Sequence, residues 1–485
     1  MKPPIYNVLI KHASKQRVKF CSPGHKNRIF MKTDNLCRID VDKIPFVDSD
    51  TDYLTALEKS QEEISGIFAS AGSFYLTNGT SSGILASLAA VCAPGDKVIV
   101  DQECDKAIID AITVLALQPV FLKRTYCTKY SLNGGISTEE IENIIYQASD
   151  AKLIIITSPS YYGVCANVKK VVEYAHPRGM YVMVDESYGA HFNFAKYAPE
   201  TALECGADIV VQSVSRTLGG FSGSGLLHIS QTIDEATLNS ICANLDIYQG
   251  GGHSTAFTCA MENVLFYAFA NSGKYNLIYR EIERGKQIIE DRTDILWFDA
   301  EHNNGSDIFY TDKTKIVLNF SHTNTSAAEV AQILITKYGI ESDYADKVNL
   351  VFSVSLYNTA SDIRKLVNSC LAISKILVPA DEEISYENKE YANELFDEGP
   401  RALMSPYKAF HSGGEWVSLD AAVGKICRKT VGRLPHGTPI IIPGEKINRE
   451  MISTILSLTD YGVKIYGLSS DNKIEVLSLN DSFYY

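Results

Sequence analysis

The sequence predicts an α/β protein in which helices cover both faces of a mostly parallel sheet. Two observations carry this prediction. From residue 72 to residue 211, short apolar runs alternate with segments of helical periodicity. The runs, such as Leu153-Ile154-Ile155-Ile156, are apolar at successive positions, and strands of that kind are buried on both faces. Alternating strands and helices are typical of parallel sheets because each helix makes the crossover.

The elements follow in order along this region. Ser137 and Glu140 form the pattern of a capping box in front of one helix. We predict strands at 72–76, 97–100, 119–122, 153–156, 181–184 and 208–211, and helices at 81–92, 106–117, 137–147 and 168–176.

The rest of the chain divides into further units. A long helical region, 257–292, leads to strands at 315–320 and 348–354 and helices after Ser326 and at 361–376, which predict a smaller α+β domain. The predicted organisation is a polar, irregular arm (1–65), a large α/β domain (66–256), the connecting helix and small domain (257–380), a Glu-rich linker (381–398) and a C-terminal domain (399–485).

Composition excludes several classes of protein. The chain has 485 residues, 45% of them hydrophobic and 21% charged, as in ordinary globular proteins. Its net charge of -13 argues against nucleic-acid and anionic-membrane partners. It lacks an apolar run of about 18 residues and a signal-peptide core, so we expect a cytoplasmic location. Eleven scattered cysteines without a Cys-x-x-Cys pair predict reduced thiols and no metal site.

Two loops after predicted strands have the chemistry of a ligand site, because ligands of parallel sheets bind at the carboxyl ends of the strands. The loop 77–83 places hydroxyl groups, including those of Thr80 and Ser81, at the start of a helix, where backbone N–H groups favour a phosphate. An ordinary capped helix explains it equally well. Asp185 could pair with a protonated ring nitrogen and Tyr188 could donate to a phenolic oxygen, although a solvated loop carboxylate is the simpler alternative.

Two further loops carry ionisable residues. Asp105 precedes a predicted helix, and we favour a role as its N-cap over a direct catalytic role. The turn Ser213-Val214-Ser215-Arg216-Thr217 offers hydroxyl groups and a guanidinium, which suit a phosphate or a carboxylate.

Taken together, these motifs resemble the Orn/Lys/Arg decarboxylases, which are fold-type I enzymes dependent on pyridoxal 5'-phosphate (PLP). The resemblance covers nearly the whole chain. It rests on 22–26 (Ser-Pro-Gly-His-Lys), 78–83 (Asn-Gly-Thr-Ser-Ser-Gly), 158–163 (Ser-Pro-Ser-Tyr-Tyr-Gly), 184–192 (Val-Asp-Glu-Ser-Tyr-Gly-Ala-His-Phe), 206–213, 437–440 and 443–445.

The resemblance implies an aspartate-aminotransferase-like large domain, a homodimer and a bound PLP. The phosphate of PLP would lie at Thr80, Ser81 and Ser213, and its pyridine nitrogen would pair with Asp185. In this family a lysine forms a Schiff base with the cofactor, which then acts as an electron sink while CO2 leaves a basic amino acid.

The chain departs from the family pattern at three places. Ser215 and Arg216 stand where the family has His-Lys, and Asp105 stands where a histidine stacks on the cofactor ring. The segment 250–255 (Gly-Gly-Gly-His-Ser-Thr) replaces one that reaches the neighbouring subunit's cofactor. Arginine stays charged and is a poor nucleophile, so it cannot replace the lysine. Lys106 is no substitute, because the family has a lysine there without that role.

Three hypotheses follow. In the first, the chain is a degenerate decarboxylase, a pseudoenzyme that keeps the fold and assembly but has lost the Schiff base and most or all turnover. It would act as a binding or regulatory subunit, paired with an active paralogue, and PLP, if bound, would be held without a covalent bond. Alternatively, it is a working PLP enzyme that reacts directly with an amino acid substrate. In the third hypothesis the cleft binds another phosphorylated metabolite, and Arg216 serves as the anion clamp.

Overall fold

The structure is a computed structural model and describes residues 18–20, 53–250, 254–300, 307–381, 402–435 and 437–478. The predicted entry motif at 22–26 and all but the first residue of the predicted linker lie outside the described residues, as do 251–253 of the loop that departs from the family pattern.

A seven-stranded sheet forms the centre of the large domain. Its order is β1-β7-β6-β5-β4-β2-β3, and every strand runs parallel to the others except β7, which is antiparallel to both of its neighbours. The mostly parallel α/β sheet predicted from the sequence is thereby confirmed. The strands are β1 (Gly72–Leu76), β2 (Lys97–Asp101), β3 (Gln118–Leu122), β4 (Leu153–Thr157), β5 (Tyr181–Asp185), β6 (Ile209–Ser213) and β7 (Gly225–Ile229).

Helices cover both faces of this sheet. In β4, Leu153 and Ile155 belong to one apolar core, whereas Ile154 and Ile156 belong to the core on the opposite face. A strand buried on two faces has to be apolar at successive positions, which explains the pattern in the sequence. The helices are α1 (Tyr53–Phe68), α2 (Thr80–Val91), α3 (Lys106–Val114), α4 (Thr138–Gln147), α5 (Val168–Ala175), α6 (Val214–Thr217) and α7 (Glu235–Gln249), with 3-10 turns at His176–Arg178 and Phe192–Phe194.

The structure differs from the predicted elements in several places. The end of the arm predicted to be irregular is α1, which buries Ile64 and Phe68 in the core. The sequence did not predict α7 or β7. Ser137 caps α4 by accepting a hydrogen bond from the Glu140 backbone, but the Glu140 side chain accepts from the backbone of Lys123, so the second half of the predicted capping box is used elsewhere.

The chain then continues through two helices, α8 (Thr255–Ala270) and α9 (Gly273–Arg292), rather than one unbroken helix. They lead to an antiparallel sheet of order β8-β9-β11-β10. Ser326 and Glu329 form the predicted capping box. The elements are β8 (Leu296–Trp297), β9 (Lys315–Asn319), α10 (Ala327–Ile333), which continues as a π-helix over Leu334–Tyr338, β10 (Tyr344–Ala345), β11 (Asn349–Ser353) and α11 (Ala360–Ser374).

The C-terminal region has its own small core around Ile441, Ile455 and Val476. Its first helix packs against α3 of the large domain. The elements are α12 (Pro406–His411), β12 (Gly414–Ser418), α13 (Leu419–Ala422), β13 (Val431–Arg433), β14 (Pro439–Ile441), α14 (Arg449–Asp460), β15 (Ile465–Tyr466) and β16 (Lys473–Leu477); β12 pairs with β16, and β13 lies between β14 and β15.

Short two-residue pairings join other segments: Val18–Lys19 with Ile340–Glu341, Tyr126–Cys127 with Leu132–Asn133, and Val164–Cys165 with Tyr310–Thr311. Across the described ranges, no helix combines the length and the hydropathy that crossing a bilayer requires.

Candidate functional site

The predicted site residues gather at the carboxyl ends of β5 and β6. Asp185 is the last residue of β5 and Ser213 is the last residue of β6. The two strands are adjacent and parallel, so their ends open on the same edge of the sheet.

Asp185 is buried, with 3% of its surface exposed. The backbone N–H and the hydroxyl of Ser187 donate to its Oδ1 at 3.0 and 2.5 Å. Burial, and after it the carboxylate of Asp105, raise the pKa of Asp185 to about 6, against the lowering effect of the Ser187 hydrogen bonds. A buried carboxyl group with this pKa is suited to share a proton with a ring nitrogen.

The N-terminus of α2 has the features of an anion site. Its N-cap is Gly79, at φ 76°, and no side chain caps the helix. Thr80, which begins α2, is half-buried and Ser81 is exposed. Gly225 pairs with Ser213, and a Cβ on Gly225 would lie 3.3 Å from the Thr80 nitrogen. Gly225 therefore lies between Ser213 and the start of the uncapped helix, the two parts of the chain where the phosphate is predicted to bind.

Arg216 lies in α6, the helical turn that follows β6. Its Cζ is 4.6 Å from the centroid of the Tyr188 ring. Burial lowers the pKa of the guanidinium, but Tyr188, Asp105 and Asp343 outweigh that effect and hold it above its ordinary value. Within the described residues Arg216 forms no hydrogen bond and no ion pair, so its N–H donors are available to a ligand.

Ser215 and Tyr188 complete this part of the site. Ser215 is buried, and its Oγ lies 3.0 Å from the Oγ of Ser213. Tyr188 is also buried, and its hydroxyl has no hydrogen-bond partner among the described residues. An unpaired buried hydroxyl is costly and is expected where a ligand completes the site.

Asp105 is the N-cap of α3, as favoured from the sequence. Its Oδ1 accepts a hydrogen bond from the Ala107 backbone at 2.9 Å. Its Oδ2 faces the C-terminal domain, where a Cβ on Gly437 would come within 2.5 Å of it. Lys106 forms an ion pair with Asp110 on the same helix.

The sequence analysis missed Lys315, which the small domain contributes from the first position of β9. Lys315 is buried, and its Nζ lies 2.5 Å from the Ser353 hydroxyl and 3.2 Å from the Asp343 carboxylate. The same Nζ is 4.5 Å from the ring centroid of Tyr161 and 4.7 Å from that of Tyr188. Burial lowers the pKa of Lys315 and outweighs the opposing effect of Asp343. The available signal was a lysine directly before the apolar residues Ile316, Val317 and Leu318 of a predicted strand.

A second missed contact joins the C-terminal domain to the loop that ends in Asp105. Arg433 Nη2 lies 3.2 Å from Glu103 Oε1, and both side chains are buried. Asn133 also donates to Glu103. This ion pair positions the C-terminal domain above the site.

Three further predictions concern the loop 250–255, a metal site and the cysteines. Gly250 follows α7 at φ 76°, and the next three residues are outside the described part of the chain. Within the described ranges, no group of three or more His, Cys, Asp and Glu side chains could hold a metal ion. The cysteines of those ranges are free thiols.

Family models match two parts of the chain. The model described as Orn/Lys/Arg decarboxylase, major domain, matches residues 3–292, which is more than half of the sequence. The model of the C-terminal domain of the same family matches residues 389–473.

Individual proteins support the same relationship. An arginine decarboxylase of Bacillus subtilis is 28% identical over 476 residues, which cover 96% of this chain and 95% of that protein. The inducible lysine decarboxylase of Escherichia coli is 23% identical and matches over 97% of this chain and 79% of its own length.

Solved structures share the fold. The constitutive lysine decarboxylase of E. coli superposes with a TM-score of 0.73 at 18% identity and covers 98% of this chain and 82% of that chain. An alanine–glyoxylate aminotransferase of Nostoc sp. superposes with a TM-score of 0.55 at 14% identity over 74% of this chain and 95% of that one. The two family models match residues 3–292 and 389–473, and the predicted site lies at the edge of the sheet. The chain therefore belongs to the Orn/Lys/Arg decarboxylase family.

Proposed function

We propose that this chain binds PLP without a covalent bond to the protein, and that its amino acid decarboxylation is lost or strongly reduced. The observation that carries the proposal is Arg216, whose guanidinium stands beside Tyr188 at the end of β6. A guanidinium keeps its charge in proteins and is a poor nucleophile, so it can hold an anion but cannot replace the amine of a lysine.

The non-covalent contacts of the cofactor have suitable residues. The N–H groups of Thr80 and Ser81 and the hydroxyl of Ser213 would hold the phosphate. Asp185 would share a proton with the pyridine nitrogen, and the unpaired hydroxyl of Tyr188 would donate to the phenolic oxygen. When bound, PLP supplies a ring that withdraws electrons from the α-carbon of an amino acid.

The remaining positions do not support proton transfer by the usual groups. Ser215 replaces the histidine beside the anchor and has a hydroxyl of much higher pKa than an imidazole. Asp105 presents a carboxylate, already committed to capping α3, where the family stacks a flat ring. Each change removes a group used in the family's chemistry, whereas the residues that would contact the phosphate are present.

The test is the spectrum of the purified chain with added PLP. We expect bound cofactor after gel filtration, with no borohydride-dependent label on any lysine by peptide mass spectrometry. A label on a lysine contradicts the non-covalent part of the proposal, and absence of bound PLP contradicts the binding itself. The loss of decarboxylation is tested separately, by CO2 release from amino acids.

Retention of Asp185, Ser213 and the α2 N-terminus also favours a second candidate, an active PLP enzyme that reacts directly with a free amino acid. The assay is CO2 release from lysine, arginine and ornithine. Release above that of Asp185→Ala supports this candidate, and release equal to that variant removes it.

The unused N–H donors of Arg216 favour a third candidate, a non-catalytic binding or regulatory subunit for another phosphorylated metabolite. A thermal-shift screen of phosphate compounds tests it, and no response to any of them rejects it. For the assembly we propose a cytoplasmic homodimer, or a hetero-oligomer with an active paralogue. Light scattering of the chain alone and after mixing with the paralogue distinguishes the two.

A further inference from the structure

Two cationic side chains converge on one aromatic ring in the site. Arg216 Cζ and Lys315 Nζ lie 4.6 and 4.7 Å from the centroid of Tyr188. They come from distant parts of the chain, one from α6 of the large domain and the other from β9 of the small domain. Like charges that approach each other in a partly desolvated place require a counter-charge.

Among the described carboxylates, Asp343 forms an ion pair with Lys315, whereas Asp105 and Asp343 act on Arg216 from beyond ion-pair distance. The Oδ2 of Asp343 contacts both Lys315 and the Ser353 hydroxyl. Asp185 accepts a hydrogen bond from the Ser187 backbone, and Asp105 is already used as the N-cap of α3. Among the described residues no carboxylate lies within ion-pair distance of Arg216, so the guanidinium has no anion of its own.

Arg216 presents only donors on this side of the cleft, because a guanidinium has no acceptor. Lys315 beside it is also a donor group, and it bonds to Ser353 and Asp343. A ligand with a cationic side chain would add a third positive charge here. Every amino acid brings an α-carboxylate, but only an acidic side chain brings a second one instead of a further positive charge, and the guanidinium fork matches a carboxylate in two hydrogen bonds.

We infer that the cleft takes an amino acid with an acidic side chain in preference to a basic one. This inference rests on the proposed function, because it names the ligand class of the same site. Arg216 and Lys315 are the residues that determine this preference. Arg216 in place of a lysine therefore affects both the charge of the ligands that the site prefers and the covalent chemistry at this position.

The experiment is calorimetry on the full chain with three stable compounds: pyridoxamine 5'-phosphate, Nα-phosphopyridoxyl-aspartate and Nα-phosphopyridoxyl-lysine. We expect the aspartate conjugate to bind about tenfold or more tightly than the lysine conjugate, the size of effect typical of one charged hydrogen-bonded contact. Arg216→Met should abolish the preference, and Lys315→Met should reduce it. Lys313→Met is the matched control. Lys313 is two residues from Lys315 but pairs with Glu283, so its replacement should leave the preference unchanged.

The outcomes separate the two proposals. If pyridoxamine phosphate binds and the lysine conjugate binds as tightly as the aspartate conjugate, the inference fails and the proposed cofactor site stands. If pyridoxamine phosphate does not bind, the proposed function fails. In that case, thermal shifts of the chain with free aspartate and with free lysine test the inference. Lack of preferential stabilisation by aspartate then overturns it as well.

Discussion

At the scale of single residues, position 216 separates cofactor binding from covalent chemistry. Arg216 lies in the short helix α6, beside the contact between the Ser213 and Ser215 hydroxyls. At position 216 the terminal group decides the reactivity, because a lysine can lose its proton in a suitable pocket and an arginine cannot. The scaffold should therefore accept the reverse substitution.

We expect Arg216→Lys to form a borohydride-reducible bond with PLP at residue 216. The lysine amine can attack the aldehyde, whereas the control Arg216→Met matches its size without an amine. Visible absorbance and the mass of the labelled peptide measure the bond. Adding Ser215→His and Asp105→His should raise CO2 release from amino acids above that of Arg216→Lys alone. An unlabelled residue 216 would show that the pocket has changed beyond its reactive groups.

Asp185 predicts a pH effect on stability. Its pKa rises from 3.8 to about 6 on folding, so between these values the folded chain binds more protons than the unfolded chain. The stabilisation is complete below pH 4 and is lost as the pH rises through about 6. Relative to Asp185→Asn, we expect the wild type to lose about 2–3 kcal/mol between pH 4 and 7. Urea unfolding at both pH values measures this, and equal pH dependence of the two proteins contradicts it.

At the scale of elements, β7 contacts the start of α2 at the proposed phosphate site. Gly225 brings the β7 backbone close to Thr80, and a Cβ there would lie 3.2–3.3 Å from Thr80 and from the Gln212 carbonyl. At this distance a Cβ would force the start of α2 or its neighbours to shift by a few tenths of an ångström. We therefore expect Gly225 to contribute to the proposed anion site, although it lies outside the predicted loop 77–83.

We expect Gly225→Ala to weaken the binding of pyridoxamine 5'-phosphate several-fold, because the methyl group displaces the Thr80 N–H from the phosphate. Calorimetry measures the affinity. Gly273→Ala, at the start of α9, is the control, because a Cβ there meets nothing within 4 Å. Unchanged affinity in Gly225→Ala would place the phosphate elsewhere.

For several strands, the local pattern of apolar residues was enough to predict where the strand begins and ends. The predicted bounds of β1 agree with the structure, and those of β2 to β5 agree within one residue, because a doubly buried strand shows its apolar run in the sequence. The helix α7 escaped prediction because its pattern is mixed: Ile241 is buried, whereas Ile247 is 71% exposed. β7 escaped because it begins in a Gly/Ser-rich loop.

At the scale of the whole molecule, the buried Glu103–Arg433 ion pair joins residues 330 positions apart. Removing one partner leaves an uncompensated buried charge, whereas removing both leaves none. We expect Glu103→Gln and Arg433→Met each to cost about 3–5 kcal/mol in the free energy of unfolding, and the double variant to cost clearly less than their sum. Urea unfolding of the four proteins gives the coupling energy. Strict additivity would show that the pair does not join the domains energetically.

The sequence by itself determined the α/β class and the family. It also identified Asp105, Asp185, Ser213 and Arg216 as candidate site residues in loops that follow predicted strands. Each of these depends on local order: strand periodicity, loop chemistry next to a strand end, and motif spacing. The tertiary structure alone decided that Lys315 of the small domain and Gly437 of the C-terminal domain come to the same site. Contacts between residues so far apart in the sequence depend on how the domains pack against each other. The periodicity of apolar residues along the chain carries no information about that packing. The arginine at position 216 was visible in the sequence, but the second cation beside it was not.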